Sequence, residues 1–332
     1  VILDRTETVE DSILCAKRIL EEICKPVLVT DRSHNLSASI GVAFLPNDGD
    51  DFTTLYRNAD LAMYAAKNAG KSQIVVYDMA LQEEAVSRIN IQKELQQAIN
   101  NQELVLYLQP IVDISSGLTV SYEALMRWNH PEKGLVPPDL FIPIAESCNV
   151  IFELGYWAFE ECSRIIRDEN IDVPLSVNLS PKQFRDPNLI DRVKSTLTQY
   201  RIPEGSIEIE ITESSFIEDI ESALSIMNEF KECGISISLD DFGTGYSSLT
   251  LLQRLPAVKL KIDRSFIQDI ITNDRDKNIV QGIVWTAQSL GLSVVAEGIE
   301  NQEQLSFLRE MKCNLGQGYF FSKPLPVSHY IN

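Results

Sequence analysis

The chain has 332 residues, 44% of them hydrophobic and 23% charged, a balance that suits a globular protein of roughly two domains. Its 29 basic and 48 acidic side chains leave a formal net charge of −19, which disfavours polymeric nucleic acid and anionic membrane surfaces as partners. No apolar run approaches the roughly 20 residues of a membrane helix, and the opening VILDRTETVEDS lacks the basic start and apolar middle of a secretory leader.

Six cysteines without a CxxC pair fit reduced thiols, so a cytoplasmic protein without a zinc–thiolate site is expected. The three histidines, His34, His130 and His329, leave any metal chemistry to oxygen ligands.

Residues 1–78 read as one unit. VIL reads as a strand, Glu10–Lys25 carries Ile13, Leu14, Leu20 and Ile23 at helical spacing, and SASIGVAFL (37–45) alternates as a strand does. After the turn cluster PNDGD, a helix carries Leu55, Ala59, Ala62, Met63 and Ala66 on one face; it stops at Gly70, and QIVVYD returns as a strand. So few strands suggest half of a larger α/β domain. From about Met79 to Asn100 a polar stretch free of Gly and Pro predicts one semi-rigid connecting helix, with a modest apolar stripe of Val86, Ile89, Leu95 and Ile99.

Residues 101–332 form the second unit. A hairpin (LVLYLQPIVDI, SSG, LTVSYEALM) precedes alternating strand-like and helix-like segments. The clearest strands are LSVNL (175–179), SIEIEI (206–211), ISISLD (235–240), VKLKID (258–263) and LSVVAE (292–297). This alternation predicts a (β/α)8 barrel, with a doubly wound open sheet as the alternative.

Period-two alternation sets Ile207, Ile209 and Ile211 on one face and Glu208 and Glu210 on the other; it separates Asp240 from its apolar neighbours and places Lys261 with Asp263. The charged residues collect at the C-terminal strand ends, where barrel enzymes build their sites: Asn178, Glu210, Asp240, Asp241, Lys261 and Glu297, with Glu123 able to join from the hairpin. Oxygen ligands at this density favour Mg²⁺ or Mn²⁺, and the adjacent Asp240 and Asp241 suit a bridge between two ions. One strand-end carboxylate alone is more often a cap or an ion-pair partner; the coincidence of several carries the reading. GTGYSS (243–248) reads as a loop that positions the two aspartates, because it lacks the spacing of a phosphate-cradling motif.

These residues resemble the EAL family of cyclic di-GMP phosphodiesterases across essentially all of 101–332. The resemblance runs through SYEALMRW (121–128), SVNLSPKQF (176–184), IEIEITES (207–214), LDDFGTGYSSL (239–249), LKIDRSF (260–266), VVAEGIE (294–300) and GQGYFFSKP (316–324). It implies a modified TIM-like barrel with an antiparallel first strand.

Position by position, it implies that Glu123, Asn178, Glu210 and Asp240 ligate one ion and that Asp240, Asp241 and Glu297 serve a second. Lys261 would orient or activate the attacking water. Gln109, Arg127 and Tyr319 would contact substrate, with Asn178, Asp263 and Gln317 beside it. Glu213 would pin the DDFGTG loop, and Glu300 would lie near the second ion. The implied reaction is in-line attack by an activated water on cyclic di-GMP, giving linear pGpG without a protein nucleophile. His130 is expected only to hold the RWNHP turn. The alternative is a cyclic di-GMP receptor that does not hydrolyse, although such receptors usually lack metal ligands and the full set is present here. The resemblance also admits a homodimer and regulatory domains upstream.

Val258 and Asn314 stand where aspartates are usual and Asn149 where a glycine is common, none of them an expected ligand. The first unit resembles the C-terminal half of a GGDEF (diguanylate cyclase) domain in SASIGVAFLPNDG (37–49) and LYRNADLAMYAAKNAGK (55–71). Lys67 and Lys71 would by resemblance face nucleotide phosphates. The GG[DE]EF signature is absent, so cyclase activity is not expected of this chain, and the other half is expected in a longer native protein.

Overall fold

The structure is a computed structural model that describes residues 1–3, 8–29, 32–34, 36–68, 70–169, 171–215, 219–243 and 249–331. It divides into two compact units, Val1–Lys93 and Glu94–Asn332, and the division falls inside the helix Met79–Ala98. No helix among the described residues is long and apolar enough to cross a membrane.

In the first unit the helix Val9–Ile23 begins at Thr8, whose hydroxyl accepts from the Asp11 backbone N–H and so satisfies one of the donors a helix start leaves open. The helix Phe52–Asn68 lays fully buried Ala62 and Ala66 along its inner face. It packs on Ile40–Val42, which pairs in parallel with Ile74–Val76. Gly41 makes that packing possible: a Cβ there would sit 2.0 Å from the Ala59 carbonyl oxygen.

Two expectations are corrected here. Val1–Leu3 is not a strand, because it is exposed and no described segment pairs with its backbone. Of the stripe expected on Met79–Ala98, Leu95 is buried while Val86 and Ile89 are exposed.

The second unit is the predicted barrel. Its strands are β1 (Leu104–Asp113), β2 (Thr119–His130), β3 (Leu175–Leu179), β4 (Ile207–Thr212), β5 (Ser236–Phe242), β6 (Lys259–Ile262), β7 (Ser293–Ala296) and β8 (Leu315–Gly316). They hydrogen-bond in that order, and β8 returns to β1, which closes the sheet. β1 runs antiparallel to both β2 and β8, and the remaining pairings are parallel. The short segments Gly134–Val136 and Leu325–Pro326 add to β2 and β1.

Alternation sorts the faces. Ile207, Ile209 and Ile211 of β4, Ile237 and Leu239 of β5, and Leu260 and Ile262 of β6 pack in one large apolar cluster with residues of the surrounding helices, such as Met227, Phe230 and Val284. Each such side chain contributes about 1.5–3 kcal/mol on burial. The partner set on each strand faces the interior, so Glu210, Lys261 and their register neighbours turn inward together. Val295 stands opposite Lys261 across β6–β7 and opposite Leu315 across β7–β8, and with Ile111 they fill part of the interior with apolar groups.

His130 holds its turn as expected: its Nδ1 accepts from the backbone N–H groups of Glu132 and Lys133. Asn149 takes the left-handed backbone, φ 64°, where a glycine is common.

Candidate active site

The sequence-predicted charges meet at the C-terminal mouth of the barrel, around one ammonium group. Lys261 is almost fully buried in β6. Its Nζ lies 2.6 Å from Glu210 Oε2, 2.7 Å from Glu297 Oε1, 3.2 Å from Asp240 Oδ1 and 3.6 Å from Glu123 Oε2. One cation therefore faces four carboxylates carried on or just after four strands, and Asp241 adds a fifth acid to the group.

The ionisation behaviour follows from that imbalance. Burial alone would discharge Lys261, but Glu123, Glu210, Glu297 and Asp240 outweigh it and hold the ammonium well above its ordinary range. For Glu210 burial dominates, and with Glu123 and Asp240 it lifts the carboxyl well above the usual range despite Lys261. Glu297 is pushed up to about 8, by burial first and then by Asp240 and Glu123, against the pull of Lys261. Protein packed around its carboxyl, then Asp240 and Asp263, raise Asp241. Glu123 goes the other way: burial opposes its charge, but Lys261 and hydrogen bonds from Gln317 and Asn178 bring it below its ordinary value.

Adjacent aspartates on a regular strand point to opposite faces, yet Asp240, Asp241 and Glu297 each bring an oxygen within 4.8 Å of the others. The backbone explains it. Asp241 sits in the left-handed region at φ 54°, and the β5–β6 register slips between Leu239 and Phe242. The Asp241 N–H donates to Asp240 Oδ1 at 3.0 Å, which stabilises the turn. A non-glycine residue in this conformation stores strain that is common at functional sites.

These observations fit a hard divalent cation. The donors are carboxylate and amide oxygens, three carboxylates already converge, and buried Glu210 Oε1 has no hydrogen-bond partner among the described residues.

The other expected residues surround this cluster. Asn178 Nδ2 donates to Glu123 Oε1 at 2.8 Å, and Gln317 Nε2 donates to Glu123 Oε2 at 2.6 Å. Gln109 is buried, its Oε1 accepting from Gln317 and its Nε2 donating to the Ser322 carbonyl. Gly318 lets this part of the chain lie close, since a Cβ there would sit 2.2 Å from the Ile299 carbonyl oxygen. Arg127 is half-buried, with its guanidinium 5.6 Å from the Tyr107 ring centroid and Nη1 donating to the Met126 carbonyl. Tyr319 is exposed, and the Lys323 ammonium stands 5.3 Å over its ring. The Asp263 carboxylate caps the short helix Arg264–Gln268 by accepting from the Ser265 N–H and hydroxyl. Glu300 is exposed and stands outside the three-carboxylate group.

Glu213 is buried, and neither of its carboxylate oxygens has a hydrogen-bond partner among the described residues. Of the DDFGTG loop (240–245) that it was expected to pin, residues 244 and 245 lie outside the described residues. Beside the acids an apolar cavity of about 430 Å³ reaches Asn178 and Asp241, with Pro138, Ile142, Pro143 and Leu154 among its walls. Its apolar side is built from the helices Pro138–Ser147 and Ile151–Asp168, which the strand pattern alone does not bring to the site.

Fold and site together define a TIM-like barrel with an acidic mouth suited to divalent cations. The chain belongs to the EAL domain family, whose sequence profile matches residues 92–324. The profile of the diguanylate cyclase GGDEF domain matches residues 1–73. Cyclic di-GMP phosphodiesterase NbdA of Pseudomonas aeruginosa is 38% identical over 332 residues, covering 99% of this chain and 42% of NbdA. Cyclic di-GMP phosphodiesterase PdeR of Escherichia coli is 37% identical over 315 residues, covering 94% of this chain and 48% of PdeR. The chain thus spans less than half the length of either relative. A solved structure of the PaMucR phosphodiesterase in complex with c-di-GMP matches with a TM-score of 0.70 at 38% identity, over 73% of this chain and 100% of that one.

Proposed function

We propose that residues 101–332 hydrolyse cyclic di-GMP to linear pGpG, and that residues 1–78 are the C-terminal part of a GGDEF-like unit joined to them by the helical stretch 79–100. The observation that carries the enzymatic reading is the gathering of Glu123, Glu210, Asp240 and Glu297 around the single buried ammonium of Lys261. So much uncompensated negative charge is a stability cost unless a cation occupies the mouth. The names of NbdA and PdeR and the c-di-GMP complex of the PaMucR phosphodiesterase support the substrate.

Glu123, Asn178, Glu210 and Asp240 would hold one Mg²⁺ or Mn²⁺, and Asp240, Asp241 and Glu297 a second. Such ions, when bound, neutralise charge on a phosphodiester and make water a stronger acid. The chain's own groups do the rest. Lys261 holds a fixed positive charge among the acids and orients the attacking water, with Gln317 and Asp263 nearby. Arg127 offers a planar fork for a phosphate, which lysine would not reproduce. The apolar cavity beside Asn178 and Asp241 takes a guanine base and keeps bulk water from it, and Gln109 and Tyr319 contact the substrate. Glu213 and Glu300 support the loops at the rim.

The test is incubation of the purified chain with cyclic di-GMP and Mn²⁺ or Mg²⁺, with product followed by chromatography. Formation of pGpG that stops on chelation is the expected result. Binding of cyclic di-GMP without turnover would make the chain a receptor instead.

A further inference from the structure

The segment after residue 324 lies beyond the stretch matched by the EAL profile, yet it reaches the site through two routes. Leu325–Pro326 pairs with Leu108 and Tyr107 of β1, and the tight turn Val327–His329 then delivers Tyr330. The Ser322 hydroxyl donates its one proton to the Lys323 carbonyl at 2.7 Å, so across the 3.2 Å contact it is Tyr330 that donates to Ser322 Oγ.

The Ser322 carbonyl accepts from Gln109 Nε2 at 3.1 Å, which fixes that amide's orientation and turns Gln109 Oε1 to Gln317 Nε2, also at 3.1 Å. The same Gln317 nitrogen spends its other hydrogen on Glu123 Oε2. The second route is packing: the Tyr330 ring lies against Tyr122, centroids 4.8 Å apart, and Tyr122 immediately precedes Glu123 on β2.

We propose that Tyr330 is a positioning residue for Glu123, holding that carboxylate in the orientation a divalent cation requires. Among the described residues, Tyr330 makes no hydrogen bond to the acids. It acts by fixing the Ser322–Gln109–Gln317 amide chain on one side and the backbone of β2 on the other. Groups that orient a ligating carboxylate typically change metal affinity or activity about 10–100-fold when removed. The kinetic part of this proposal rests on the phosphodiesterase reading; the metal-binding part does not.

The deciding experiment is titration of the whole chain with Mn²⁺, the free ion being counted by electron paramagnetic resonance, alongside melting curves. Tyr330→Ala is expected to weaken Mn²⁺ binding about tenfold. Tyr330→Phe, which keeps the ring on Tyr122 and loses one hydrogen bond, is expected to weaken it about threefold. At saturating Mn²⁺ the alanine variant should still show lower kcat for cyclic di-GMP. If Tyr330→Ala does not fold, Tyr330→Leu serves in its place.

A variant with a lowered melting temperature and an unaltered Mn²⁺ isotherm would reduce Tyr330 to a packing residue and overturn the proposal. Wild-type protein that binds Mn²⁺ but leaves cyclic di-GMP intact would overturn the phosphodiesterase reading alone, and the isotherms would still decide the role of Tyr330. Wild-type protein that binds no Mn²⁺ would overturn both.

Discussion

Two layers of the barrel interior use the same strands and opposite electrostatic strategies. In the lower layer Glu208 of β4 meets Lys259 of β6 at 2.8 Å, a closed one-to-one pair with Glu208 buried. Two residues further along the same strands, Glu210 meets Lys261, but Glu123, Asp240 and Glu297 crowd the same ammonium. β4 and β6 supply both layers; the count of acids differs. The lower pair is complete in the protein alone. The upper layer is complete only with additional positive charge, and that excess separates a structural ion pair from a site.

The comparison breaks most sharply under substitution of the upper layer. Asp240→Asn and Glu123→Ala are each expected to reduce pGpG formation at least about a thousandfold, equivalent to about 4 kcal/mol of barrier. A change of less than tenfold would show that the acids are misassigned.

Stability should respond with opposite signs in the two layers. Glu208→Gln strands Lys259 and is expected to destabilise the protein by about 3–5 kcal/mol in denaturant unfolding. Glu210→Gln replaces a carboxyl that burial, Glu123 and Asp240 make costly to ionise with a neutral amide, and should raise the melting temperature of metal-free protein while lowering activity. Equal losses in both variants would mean that the two layers are electrostatically alike.

The pH dependence sharpens it further. Glu297 titrates at about 8 in the folded state, above the unfolded carboxyl range of about 4.3, so the folded state binds its proton more tightly. Its stabilising contribution is fully present below the unfolded value and is lost as pH rises through about 8. Metal-free protein should therefore melt progressively lower between those limits, Glu297→Gln should flatten the slope, and Mn²⁺ should offset the loss at the alkaline end.

The smallest effect is expected at the far end of the hairpin. Asp113 accepts from the N–H and hydroxyl groups of Ser115 and Ser116, which lower its carboxyl to about 2. That contribution is present above the ordinary carboxyl range and lost as pH falls toward 2. Asp113→Ala should cost less than about 1 kcal/mol and leave turnover unchanged.

Much of this architecture is legible in the sequence because strand alternation is local. SIEIEI already separates Glu208 and Glu210 from the isoleucines, and VKLKID already turns Lys261 inward. The expected antiparallel first strand is present. Long-range partnerships are not legible: nothing in the pattern of Gln109 announces Ser322, 213 residues away, nor does Lys259 announce Glu208. The left-handed turn at Asp241 is equally hidden, since a run of two aspartates reads as an ordinary strand end. At the other extreme, apolar VIL looks like a strand, but a strand forms only where its backbone finds a partner.

The most direct measurement is anomalous diffraction from crystals grown with Mn²⁺. Manganese is expected within bonding distance of the Asp240, Asp241 and Glu297 carboxylates. Manganese bound elsewhere, with none at those three acids, would contradict that expectation.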